Sequence, residues 1–190
     1  MDYIQLRLAV TDTAISREIV VPKTINLQVL HFAIQAALGW HDSHLHEFTT
    51  SSGIRYSANP QDEDGYDEPA LDATQVLLNT LLKRKGSTLC YVYDFGDWNE
   101  VEIKHLGNVK SCDSSLFSSN GPDMIEDAMC LGGVEAIVDI LKQKKGSKYS
   151  STVSWLKEAF GLSPADACRE PSADEIYNRI SELFSGLNLK

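Results

Sequence analysis

Two short stretches concentrate the residue types that do chemistry. The first runs His41-Asp42-Ser43-His44-Leu45-His46-Glu47-Phe48. On a strand, side chains alternate faces, so His44 and His46 share one face with Phe48 while Leu45 and Glu47 point the other way. Two imidazoles at i and i+2 can reach one ion, because zinc takes nitrogen ligands at about 2.0–2.1 Å. A carboxylate from elsewhere would complete a two-histidine, one-carboxylate set. The second stretch is Tyr93-Asp94-Phe95-Gly96-Asp97-Trp98. Two aspartates at a strand end can serve as carboxylate ligands or as a general base. His44, His46, Asp94 and Asp97 are therefore the candidate site, and a divalent metal is the cofactor they imply. The structural alternative is that the histidines hydrogen-bond at the core edge and pack on Trp40 and Phe48. In that reading Gly96 supplies positive φ to a turn, and the aspartates bind backbone amides.

Other motifs carry less. The triplet Asp94-Phe95-Gly96 resembles a kinase element, but the chain has no glycine-rich loop, no HRD and no APE. Glu126-Asp127 precedes Gly132-Gly133 at a helix start, where free amides favour anions. No Walker lysine follows, so a loop and helix start suffices. Residues 59–72 are acidic, but an EF-hand register with Gly65 at position six puts Pro60 at position one and Leu71 at position twelve. Neither is a calcium ligand, and a solvated loop is expected. Cys90, Cys112, Cys130 and Cys168 form no CxxC and sit at no zinc-finger spacing, so reduced thiols are expected.

The elements that must position these residues follow from periodicity. Ile4, Leu6, Leu8 and Val10 alternate with more polar neighbours, which predicts a half-buried strand over 3–10. A second strand is expected over 15–21, closed by Pro22. Asn26 is a predicted N-cap. Leu27, Leu30, Ile34 and Leu38 recur at helical spacing, and Gly39 suits the position after the helix end. Strands are expected over 44–50, 54–56, 88–94 and 101–105, a helix over 74–85, and a long loop over 107–125. Val134, Ile137, Val138 and Leu141 form an amphipathic face, as do Val153, Leu156 and Phe160. Ser163-Pro164 opens a short helix with proline at its first position. Ser172 and Glu175 form a capping box before Ile176, Ile180, Leu183 and Leu187. Strands first and helices last predict an α+β fold, an antiparallel β-sheet packed against helices. A single domain over 1–190 is expected, with 133–190 mostly helical.

The bulk properties bound the function. The chain has 190 residues, 43% of them hydrophobic, and a net charge of −10. Phosphate neutralisation needs a basic patch, so the acidic balance argues against nucleic acid unless a local patch escapes the average. No run approaches the roughly 18–20 apolar residues of a membrane span. The N-terminus lacks the basic start and cleavage site of a signal peptide, which predicts a cytoplasmic protein.

These motifs together resemble the plasmid pRiA4b ORF-three-like family. The resemblance begins at Arg17 and Val21-Pro22 and continues through His31, Ile34, Gln35, Gly39 and Trp40. It is strongest in His44-Leu45-His46 with Phe48, and in Tyr91, Tyr93 and Asp94-Phe95-Gly96-Asp97. Fainter echoes are Glu126-Asp127 with Gly132-Gly133, Trp155 and Asn178. Trp98 follows Asp97 directly where the family inserts a residue, and Val101 stands where the family carries a histidine. The resemblance implies an α+β fold and an association with plasmids and mobile elements, and it implies no particular reaction.

Two functional readings follow. The acidic composition and the altered motifs favour a non-enzymatic binding or interaction domain with a protein partner. The alternative is a metal-dependent hydrolase or nuclease-like enzyme, with His44 and His46 on the ion and Asp94 or Asp97 completing it. A mobile-element accessory that touches DNA is a third reading.

Overall fold

A computed structural model describes residues 2–58, 60 and 69–187, of residue 131 the backbone alone. The alternating N-terminal segment forms β1 (Tyr3–Val10), antiparallel to β2 (Ser16–Pro22). Ile4, Leu6, Leu8 and Val10 are all buried, as the alternation predicts. Helix α1 (Leu27–Leu38) has the expected ends. The Asn26 side chain accepts from the Val29 amide, and Gly39 takes a left-handed φ of 84°. Then come β3 (His46–Thr49), β4 (Arg55–Ser57), β5 (Leu71–Asp72) and the one-turn α2 (Leu78–Leu81). The long hairpin β6 (Thr88–Tyr93) and β7 (Asn99–Val109) carries the Asp94–Asp97 turn between its strands. After β8 (Ser118–Asn120) the chain is helical: α3 (Val134–Gln143), α4 (Ser147–Phe160), α5 (Pro164–Ala167) and α6 (Ala173–Gly186). The Ser172–Glu175 capping box is present, and Ser163 forms a second one with Asp166.

The strands form one sheet in the order β5-β4-β3-β6-β7-β1-β2-β8. All neighbouring pairs are antiparallel except β4 and β5. Helix α1 packs against β2 and against α6. The fold is therefore α+β, with helices in the C-terminal part, as expected. Buried apolar side chains from Ile4 to Phe184 form one contiguous cluster. Among the described residues, no helix is long and apolar enough to cross a membrane.

Arg17 fastens the layers. Fully buried on β2, its guanidinium donates to the carbonyls of Ala37, Asn120 and Pro122 at 3.1, 2.8 and 2.7 Å. It also meets Asp123 at 3.3 Å, which Arg179 of α6 holds from the other side at 2.7 Å. One buried cation thus ties the end of α1 to the segment after β8 and, through Asp123, to α6. Multiple hydrogen bonds are what make such burial tolerable.

Several local expectations are corrected. The 74–85 helix is reduced to a 3₁₀ turn at Ala73–Gln75 and the single turn of α2. The backbone here pairs with the start of α1 instead, through Leu27 N–H to Val76 C=O and Leu78 N–H to Ile25 C=O. The 107–125 loop contains the end of β7 and all of β8, which covers the edge of β2. Most of the acidic stretch weighed for calcium lies outside the described residues.

Candidate metal centre

The strand expected over 44–50 starts at His46, and this separates the two histidines. His44 lies before β3, where the Leu45 carbonyl accepts the Asp94 amide at 2.9 Å and draws the loop onto the 94–98 turn. The His44 side chain is 29% exposed. Its Nε2 stands 3.6 Å from Asp94 Oδ2, 3.7 Å from Glu126 Oε2 and 3.4 Å from Asp127 Oδ1.

Each of the two buried carboxylates is held by one oxygen and offers the other. Asp94 Oδ1 accepts the Gly96 amide at 2.9 Å, which leaves Oδ2 toward His44. Glu126 Oε1 accepts the His41 amide at 2.7 Å and the Tyr93 hydroxyl at 2.9 Å, which leaves Oε2. Burial and the Glu126 carboxylate push the Tyr93 phenol up, so it remains a donor. Asp127 is 62% exposed and forms the open side. Two of these residues sit in the left-handed region, Asp94 at φ 59° and Asp127 at φ 53°. Such conformations cost roughly 1–3 kcal/mol and gather where surrounding structure enforces them at functional sites. Gly96, expected at positive φ, is not among the positive-φ glycines, and Asp94 and Trp98 take that role in the turn. The turn closes through the Trp98 amide on the Asp94 carbonyl at 2.6 Å.

The spacing around His44 is longer than that of a hydrogen bond. Good nitrogen–oxygen hydrogen bonds fall at about 2.7–3.2 Å. Ligands bound at about 2.1 Å around a tetrahedral ion stand about 3.4 Å apart. Ligand atoms of His44, Asp94 and Asp127 all lie within 4.8 Å of one another. Among the described residues, His44 is the one basic group within ion-pair distance of Asp94, Glu126 or Asp127.

His46 belongs to a different cluster. Its ring stacks on His31 of α1 at 3.5 Å between centroids and 7° between planes. His31 Nδ1 meets the Tyr91 hydroxyl at 2.9 Å, and its Nε2 meets Asp42 Oδ1 at 2.8 Å. Gln35 completes the arrangement, donating to the Tyr91 hydroxyl and accepting the Asp42 amide. Burial pushes His46 down to about 3, with the neighbouring His31 adding to the shift. Burial lowers His31 as well, against the opposing pull of Asp42. Ligand atoms of His31, Asp42 and His46 also lie within 4.8 Å of one another. Imidazole lone pairs lie in the ring plane, however, and two parallel stacked rings cannot both aim at one ion at about 2.0–2.1 Å. This pair is a packed neutral stack. It meets the core-edge alternative in its packing, with Phe48 edge-on at 6.0 Å, but not in its hydrogen bonding, since the buried His46 Nε2 has no partner among the described residues.

Asp97 turns away from His44 and accepts the Met129 amide at 3.2 Å. Of the sequence candidates, then, His44 and Asp94 come together, while His46 and Asp97 each stand elsewhere. The sequence marks Glu126 and Asp127 only as a helix approach and a faint motif, although their adjacency is itself a carboxylate signal. Val101 is fully buried in β7 opposite Val10 and Tyr91. A thiol role gains nothing: burial beside Glu100 and Glu47 pushes Cys90 up to about 11.

An α+β sheet protein with a half-open histidine–carboxylate cluster at the β6–β7 turn is the class that fold and site define. The chain belongs to the family of Plasmid pRiA4b ORF-3-like proteins, whose model matches residues 3–168. It is 31% identical over 158 residues to the uncharacterized protein y4hQ of Sinorhizobium fredii, an alignment covering 79% of each chain. It is also similar to the crystal structure of MM3350 from Methanosarcina mazei, a protein of unknown function. That likeness has a TM-score of 0.63 at 27% identity and covers 87% of this chain and 96% of the other.

Proposed function

We propose that the protein binds a divalent metal ion through His44, Asp94 and Asp127, with Glu126 beside them. The observation that carries this reading is the convergence of three carboxylates on one imidazole nitrogen at 3.4–3.7 Å. Gathering like charges costs energy unless a cation neutralises them. The amides and hydroxyl that bind the other oxygens of Asp94 and Glu126 are the outer partners that fix ligand orientation. One nitrogen with several oxygens suits zinc or manganese better than the softer thiolate-seeking ions.

An ion here would face solvent beside Asp127 and would act as a Lewis acid or activate a bound water. That is the chemistry of a metal-dependent hydrolase. The surplus carboxylate charge and the net charge of −10 disfavour a phosphodiester and therefore the nuclease form of this reading. Thermal stability of chelator-treated protein with added zinc, manganese or magnesium tests the proposal. At least one ion is expected to raise the melting temperature saturably, and His44→Ala and Asp94→Asn are expected to remove the rise. No shift with any of the three ions would overturn it.

A further inference from the structure

A cleft of about 370 Å³ opens between the β1–β2 turn, the 97–100 segment and the start of α3. Asp12, Asp97, Glu100 and Glu135 line it, together with Trp98 and Met129, and among the described residues no lysine, arginine or histidine does. Three of the four carboxylates bind protein groups through one oxygen: Asp97 the Met129 amide, Glu100 the Thr11 hydroxyl, Glu135 the Ala14 amide. The amides at the start of α3 present roughly half a positive charge. Four carboxylates outweigh that.

The apolar wall specifies which cation. Trp98 is 53% exposed and Met129 is 50% exposed. Trp98 takes a left-handed φ of 55°, unusual for a bulky side chain, so the turn holds an indole outward at a conformational cost. An exposed indole among carboxylates is the arrangement that receives a guanidinium or ammonium by cation–π attraction. The volume lies at the small end of ligand pockets and suits one long side chain. Outside the cleft, Phe95 stands 6.2 Å from the Trp98 ring, and Leu45 and Phe95 are both exposed. A free amine would leave this apolar surface uncovered.

We infer that the cleft receives an arginine or lysine side chain presented by a protein partner, whose flanking apolar residues lie on Phe95 and Leu45. Charge complementarity to this acidic chain supports a basic partner segment. The site needs no ion at His44.

Calorimetric titration of chelator-treated protein tests this, so the outcome is independent of the metal reading. The probes are a short peptide with one arginine between apolar residues, the same peptide with citrulline for arginine, and agmatine. The arginine peptide is expected to saturate one site, the citrulline peptide not to bind, and agmatine to bind more weakly than the peptide. Trp98→Ala and the double variant D12N/E100Q are each expected to weaken the arginine peptide about tenfold, roughly 1.4 kcal/mol. Absence of peptide binding would overturn the proposal, as would equal binding of the citrulline peptide or wild-type affinity in both variants. Agmatine binding as tightly as the peptide would replace the protein partner with a free amine and so overturn the occupant named here.

Discussion

His44 and His46 stand two residues apart, yet the fold gives them opposite surroundings. His44 precedes the first paired residue of β3 and meets three carboxylates at a half-open surface. His46 is that first paired residue, opposite Tyr93, and lies buried in a stack with His31. The same side-chain chemistry is thus divided between a half-open cluster of carboxylates and a buried ring stack. Strand parity assumes that both residues belong to the strand. A boundary two residues later is enough to send them to different places.

The sharpest way to break this contrast is truncation. His46→Ala leaves a cavity beside the His31 ring and is expected to cost about 3 kcal/mol in denaturant unfolding. His44→Ala in metal-free protein is expected to stay within about 1 kcal/mol of wild type. Equal costs would erase the distinction between a packed and an open histidine.

Acid sharpens it further. Folded His46 is held down to about 3, whereas the unfolded chain takes up that proton near 6.5. Between those values the unfolded state binds more protons, so stability is full above about 6.5 and falls as the pH drops toward 3. His31, lowered in the same direction, adds to the slope. His46→Phe keeps an aromatic ring in the stack and is expected to flatten the dependence. An unchanged slope in urea melts at pH 7, 5 and 4 would show that His46 is not buried neutral.

A smaller effect is expected at Asp127, which holds φ 53° without a side-chain cap on the following turn. Asp127→Gly should raise metal-free stability by about 1 kcal/mol, because glycine takes this conformation without strain. The same variant should weaken any metal-induced stabilisation. The smallest effect is expected at Gly96, where positive φ is absent and an added Cβ would meet Asp94 Oδ1 at 3.2 Å. Gly96→Ala should change stability by less than about 1 kcal/mol in the same assay.

The fold was legible where local signals and tertiary packing agree. The alternation in β1, the Asn26 cap, Gly39, the helix opening at Ser163-Pro164 and the Ser172–Glu175 capping box all stand where the residues place them. Residues 74–85 depart from the expected helix because Leu27 and Ile25 supply backbone partners that no local pattern reveals. The site was half legible. His44 and Asp94 come together, as their motifs suggest, but Glu126 reaches them through contacts to His41 and Tyr93 far away in sequence. The same long-range closure puts His31 under His46. Spacing along the chain reports neither.

Calorimetric titration of chelator-treated protein with zinc and with manganese decides whether the His44 cluster holds an ion. One ion per chain is expected for at least one metal, with binding lost in Asp94→Asn and retained in His46→Phe. Binding that survives Asp94→Asn but fails in His46→Phe, or no saturable binding of either ion, would contradict it.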